Sequence, residues 1–126
     1  MNTRSSETGN SGGRLDQGKE YENLAARFYE QNGFDILEQN WRAGHKEIDL
    51  IVRKADLVVF VEVKSTYSRN FGHPVERVDQ KKIRNLSTAA QQYLIDKAVT
   101  GCDLRFDVVT FVNGQLEHFP GAFDVA

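Results

Sequence analysis

Apolar positions recur along the chain first with a helical period and then with a strand period. Tyr21, Leu24, Ala25 and Phe28 stand three or four apart, and Asn32-Gly33 supplies a stop, which predicts a first helix over about 18–31. From Phe34 the spacing changes. The segment FDILEQNWR opens an extended stretch, and KEIDLIVR and LVVFVEVK are two strands rich in β-branched residues. STYSRNFGHPVERV carries Gly, Pro, Ser and Asn without a steady period and reads as a loop. A second helix is expected from Asp79, a suitable N-cap, with Ile83, Leu86, Ala90, Tyr93 and Leu94 as its apolar stripe. LRFDVVTFV is another buried strand, Asn113-Gly114 the dipeptide of a tight hairpin turn, and QLEHF the return. Helix, three strands, helix, two strands: this order predicts an α/β domain with a mixed sheet flanked by helices.

Residues 1–17 fall outside the pattern. They are rich in Ser, Gly, Thr and Asn and hold almost no large apolar side chains, so they are expected to form a flexible tail ahead of a domain over 18–126. They also lack the apolar centre of a secretory signal.

The central strands hold the anomaly. Glu47, Asp49, Glu62 and Lys64 interrupt the most hydrophobic part of the chain. With a turn centred between Ala55 and Asp56, antiparallel partners have numbers summing to 111. Asp49 then faces Glu62 and Glu47 faces Lys64, and the period of two puts all four on one face. Like charges so placed destabilise a sheet unless a cation, a shared proton or water compensates. Two readings stay open on geometry alone. In one, Glu47 and Lys64 pair across the strands and the cluster is structural. In the other, Asp49 and Glu62 hold a hard divalent cation, Mg²⁺ or Mn²⁺, and Lys64 orients a water or stabilises charge on phosphate in flight.

Composition narrows the class. The chain of 126 residues, 40% hydrophobic and 27% charged, suits one soluble domain, and no apolar run approaches the roughly 20 residues of a membrane span. With Cys102 as the lone cysteine, no internal disulfide can form, and a cytoplasmic location is expected. The net charge of −2 is uninformative, but its distribution is not. Between residues 64 and 84, six basic residues (Lys64, Arg69, Arg77, Lys81, Lys82, Arg84) face two acids, a net +4. Lys81, Lys82 and Arg84 fall in the first turns of a helix, where the macrodipole disfavours cations. Phosphate contact by these three, with Arg69 and Arg77, would repay that cost; a solvated helix face is the alternative. His45 and His73 read as loop histidines and His118 as structural or exposed. Arg105 and Asp107 read as a structural pair, and nothing marks Cys102 as a nucleophile.

Asp49, twelve intervening residues and then Glu62-Val63-Lys64 resemble the PD-(D/E)XK nuclease signature. The longer run ENLAARFYEQNGFDILEQNWR, EIDLI, VFVEVK and RFDVV resembles the YraN-type family of bacterial proteins, which is similar to archaeal Holliday-junction resolvases. The resemblance implies a restriction-endonuclease-like three-layer α/β/α fold. It implies that Asp49 and Glu62 are metal ligands, with the Val63 carbonyl as a further one, that Lys64 is the catalytic lysine, and that Glu22 approaches the metal from the first helix. Glu47 is either a ligand or a partner of Lys64. Many members read Gly-Glu-Ile-Asp where this chain has Lys46 before Glu47, a departure that leaves the acids in place. The expected activity is Mg²⁺- or Mn²⁺-dependent DNA endonuclease action, with branched or damaged DNA as candidate substrates. A nucleic-acid-binding module with little catalysis is the alternative. A homodimer is implied only by the resolvases, which pair to cut two strands; no heptad or apolar stripe points to one.

Overall fold

Two helices and five strands follow one another in the expected order: α1 (Arg14–Gln31), β1 (Asp35–Ala43), β2 (Lys46–Lys54), β3 (Leu57–Thr66), α2 (Gln80–Asp96), β4 (Asp103–Val112) and β5 (Gln115–Phe123). The computed structural model describes residues 14–66 and 80–124, with side-chain surroundings from residue 18 onward. α1 begins four residues before the expected Gly18. Arg14, Leu15 and Gln17 are good helix formers, and extending a helix is easier than nucleating one, so Gly18 does not stop it.

α1 ends as Asn32-Gly33 suggested. Gly33 is left-handed (φ +88°). The amide of Gly33 donates to the Glu30 carbonyl and that of Phe34 to the Tyr29 carbonyl, both at 3.0 Å, closing a Schellman cap. The Phe34 ring then packs edge-on against Tyr29 at 5.3 Å, the apolar contact that accompanies this cap.

The sheet runs β1-β2-β3-β4-β5, antiparallel except for the β3–β4 pair, which is parallel. That parallel step needs a crossover, and α2 lies in it. α1 covers one face of the sheet through Ala25, Ala26 and Tyr29 on Leu50, Val52, Val59, Val61, Val109 and Phe111. α2 covers the other through Leu86, Ala89, Ala90 and Tyr93 on Ile48, Ile51, Val58, Phe60 and Phe106. Alanine pairs on both helices allow close approach to the sheet. The result is a three-layer α/β/α sandwich, compatible with a restriction-endonuclease-like fold. The buried stripe of α1 is rotated from the expected one: Leu24 remains 39% exposed while Tyr29 is fully covered. Ile83, the first residue of the expected α2 stripe, is only half-buried.

The two hairpins behave differently. Asn113 and Gly114 both take positive φ (50° and 81°), the geometry that made the pair a turn signal. The β2–β3 hairpin has the expected register, from Lys54↔Leu57 to Leu50↔Val61, each pair summing to 111. There the ladder stops. β2 continues toward Lys46 paired only with β1, while β3 continues to Thr66 paired only with β4. The sheet forks, and the expected partnerships of Asp49 with Glu62 and of Glu47 with Lys64 fall past the branch point.

Candidate metal and phosphate site at the sheet fork

The fork decides what the polar residues of β2 and β3 do. Where the strands part, β3 loses backbone partners on its β2 side. The Val63 amide donates instead to Asp49 Oδ2 at 2.8 Å, so a side chain caps the end of the ladder. A strand residue's N–H and C=O point to the same side, so the Val63 carbonyl also opens into the fork. Alternation along β2 breaks at the same place: Ile48 packs with Ile51 under α2 rather than with Leu50 and Val52 under α1.

The expected ion pairs are rearranged. Glu47 does not pair with Lys64; its Oε1 lies 3.7 Å from Arg42 of β1, its neighbour in the β1–β2 ladder. Lys64 approaches Glu62 at 3.9 Å, and Lys82 from α2 comes closer, 3.2 Å from the same oxygen, Oε2. Glu62 is buried, only 6% exposed, yet its Oε1 has no partner among the described residues. Asp49 likewise uses Oδ2, and its Oδ1 has no hydrogen-bond partner among the described residues. A carboxylate oxygen withdrawn from water without a donor is costly, so the unfilled positions of buried Glu62 and half-buried Asp49 call for a cation or ordered water.

Electrostatics agree. Burial first, then the charge of Glu62, push the Asp49 carboxyl up to about 7; Glu22 and Glu47 add to this and the Val63 amide opposes it. Glu22 therefore does reach the site's field from α1. Its Oε1 accepts a hydrogen bond from Asn40 Nδ2 at 2.9 Å, and Asn40 lies in β1 with left-handed φ (54°). Asn40 was not singled out from the sequence. The one available signal was that asparagine tolerates this conformation better than other side chains do.

A cavity of about 210 Å³ opens beside the fork, lined by His45, Lys46, Glu47, Asp49, Lys82, Asn85 and Leu86. His45, read as a loop histidine, stands at this cavity. Among the described residues no three His, Cys, Asp or Glu side chains gather closely enough to enclose an ion by themselves. The donor set instead fits an ion that keeps much of its water: two carboxylates with open oxygens and one free-facing carbonyl, as suits Mg²⁺ or Mn²⁺.

The basic track is only partly visible. Lys81 and Arg84 are exposed at the start of α2, and no acidic residue stands in its first turn. Arg69, Arg77, His73 and Asp79 lie outside the described residues.

A second polar cluster lies on the α1 face of the sheet, where Asp107 meets Tyr29, whereas Glu62 meets Lys82 of α2. The Arg105–Asp107 pair read from the sequence is the seed of a larger network. Asp107, fully buried, accepts from Arg105 Nε at 2.7 Å and Nη2 at 2.9 Å, from the Tyr29 hydroxyl at 2.7 Å and from the Gly121 amide at 3.0 Å. His118 Nε2 lies 2.9 Å from it, and since a carboxylate only accepts, the proton resides on Nε2. Burial opposes the charge of Asp107, but these donors prevail and hold its carboxyl below the ordinary carboxylate range. Burial and the adjacent carboxylate push the Tyr29 hydroxyl up, which keeps it a neutral donor. Every oxygen here is satisfied, which marks the cluster as structural, whereas the fork leaves oxygens open.

The chain resembles known sequences over most of its length. It is 38% identical to a UPF0102 protein of Persephonella marina over 109 residues, covering 86% of this chain and 94% of that one. It is 44% identical to one from Chloroherpeton thalassium over 95 residues (75% and 74%) and 41% identical to one from Thermotoga maritima over 103 residues (82% and 93%). The sequence pattern described as "Uncharacterised protein family UPF0102" matches residues 21–111, a span that runs from α1 into β4 and includes every residue of the fork. The chain belongs to the UPF0102 family, the family of the YraN-type resemblance.

Proposed function

We propose that this protein is a divalent-metal-dependent DNA endonuclease whose centre is the sheet fork. The observation that carries the reading is a pair of carboxylates, buried Glu62 and half-buried Asp49, each with one oxygen without a partner among the described residues, beside a lysine on the strand of Glu62. A metal ion held there would polarise a phosphodiester and acidify water. Asp49 and Glu62 would supply the negative ligands, the Val63 carbonyl a neutral one, and Glu22, oriented by Asn40, would act from the helix side. Glu47, bonded to Arg42, lines the cavity rather than serving Lys64. Lys64 would orient the attacking water or offset charge gathering on the phosphate oxygens. In the reaction, water oxygen bonds to phosphorus, the phosphorus–oxygen bond to one sugar breaks, and that oxygen takes up a proton. Lys81 and Arg84, exposed at the start of α2, would meet DNA phosphates in contacts that are sequence-independent and salt-sensitive.

The test is a cleavage screen on linear, nicked and four-way DNA with Mg²⁺ or Mn²⁺. Cleavage should vanish in Asp49→Ala and Glu62→Ala and fall by about 10²-fold or more in Lys64→Ala, with DNA binding largely kept in the last. One observation favours a second reading. Glu62 already has two lysines on one oxygen, an arrangement that a binding module without catalysis would also tolerate. Binding to these DNAs without cleavage of any, under either metal, would establish that alternative.

A further inference from the structure

Lys82 occupies a different place from its neighbours on α2. Lys81 and Arg84 are exposed, while the Lys82 ammonium reaches inward to Glu62 Oε2 at 3.2 Å, nearer than the lysine of Glu62's own strand at 3.9 Å. Two ammonium groups on one carboxylate oxygen repel each other, and the arrangement holds only while Glu62 carries a full negative charge. A divalent cation taking the open Glu62 oxygen would reverse the local sign. Lys82 then loses the attraction of Glu62. Its side chain is already 42% exposed, it stands on a flexible four-carbon stem, and it lines the mouth of the cavity at the fork.

We propose that Lys82 is a metal-controlled phosphate contact. Without metal it is the counter-ion of Glu62; when metal binds, it is released to a phosphate of the nucleic acid. The inference rests on the nuclease reading of the fork and assigns the site a property that reading lacks. Metal and DNA then bind with positive coupling through one side chain, and by linkage each strengthens the other equally.

The coupling is measured without catalysis. Mn²⁺ binding is followed by calorimetry, and binding of a fluorescent DNA duplex by anisotropy, once with EDTA and once with Ca²⁺. Lys82→Met should weaken DNA binding ~10-fold in Ca²⁺ and leave it unchanged in EDTA, while Mn²⁺ binds more tightly because its competitor is gone. Arg84→Met, a plain phosphate contact, should weaken DNA binding in both conditions. Glu62→Gln should raise DNA affinity in EDTA by removing the ion pair that turns Lys82 toward Glu62, and Glu62→Gln with Lys82→Met should cancel that gain. Lys82→Gln repeats the measurement should the methionine variant not fold.

Equal weakening in EDTA and Ca²⁺ by the Lys82 variants overturns the proposal, as does Mn²⁺ affinity that is unchanged or reduced. Either result leaves the nuclease reading standing if the wild type binds Mn²⁺ and cuts DNA. A wild type that binds no Mn²⁺ overturns both.

Discussion

Asp49 does two jobs that pull against each other. Its Oδ2 caps the Val63 amide where the β2–β3 ladder ends, a contact that favours the anion. Burial and the carboxylates of Glu62, Glu22 and Glu47 disfavour the anion more strongly. The linkage has a definite sign. Folding raises this acid from 3.8 to about 7, so the folded protein holds the proton more tightly than the unfolded chain does. The associated stability is complete below about pH 4 and is lost as pH rises toward about 7. In EDTA, wild-type stability measured by urea unfolding should therefore fall between these limits relative to Asp49→Asn. The asparagine keeps an acceptor for Val63 and cannot ionise, so above pH 7 it should be the more stable protein. Equal pH profiles for the two would show that the crowding is relieved some other way.

At the scale of elements, each turn solves its backbone problem with a different residue, and not always the best one. Gly33 and Gly114 take left-handed conformations that cost glycine nothing. α2 ends with the same cap as α1, the Ala98 amide donating to Ile95 and the Val99 amide to Leu94, but the left-handed position is an alanine (φ 53°). Its Cβ crowds a carbonyl there at a cost of about 1 kcal/mol. Ala98→Gly should stabilise the protein by about that amount, seen as a higher urea midpoint with an unchanged slope. Because Ala98 lies at the far end of α2 from Lys82, metal and DNA binding should not change. The fork belongs to this scale too. β3 pairs in parallel with β4 along its full length, while past Leu50 and Val61 β2 keeps only its β1 partner.

Across the whole molecule, the Asp107 network is the main polar tie. It joins α1 through Tyr29, β4 through Arg105 and β5 through His118 and Gly121, at the place where the β4–β5 register shifts between Phe106 and Val108. Removing the carboxylate leaves a buried hydroxyl and a guanidinium without their acceptor. Asp107→Ala should cost about 3–5 kcal/mol, a large part of the stability of a domain this size, and should loosen β5 from the sheet. Amide exchange that quickens along β5 before β2 and β3 would report it. Glu62 meets Lys82 of α2 and takes no part in this network, so Mn²⁺ should still protect the surviving folded fraction. Among the described residues no helix is long and apolar enough to cross a membrane.

The sequence by itself determined what depends on neighbours along the chain. Periodicity, caps and turn dipeptides are local, and they carried the order of seven elements, the Asn32-Gly33 stop, the Asn113-Gly114 turn and the register of the central hairpin. The presence of Asp49, Glu62 and Lys64 near one another follows from that register. Their geometry does not, because period-two alternation assumes a continuous ladder, and the β2–β3 ladder ends at Leu50 and Val61 while β3 continues with β4. Only the tertiary structure decided that Glu47 pairs with Arg42, that Lys82 crosses from α2 to Glu62, that Asn40 holds Glu22, and that Asp107 gathers donors from α1, β4 and β5. Apart from the Glu47–Arg42 pair across the β1–β2 turn and Arg105 beside Asp107 on β4, these contacts join elements whose separation in sequence leaves no local trace. Buried charge is placed by whatever the fold brings against it.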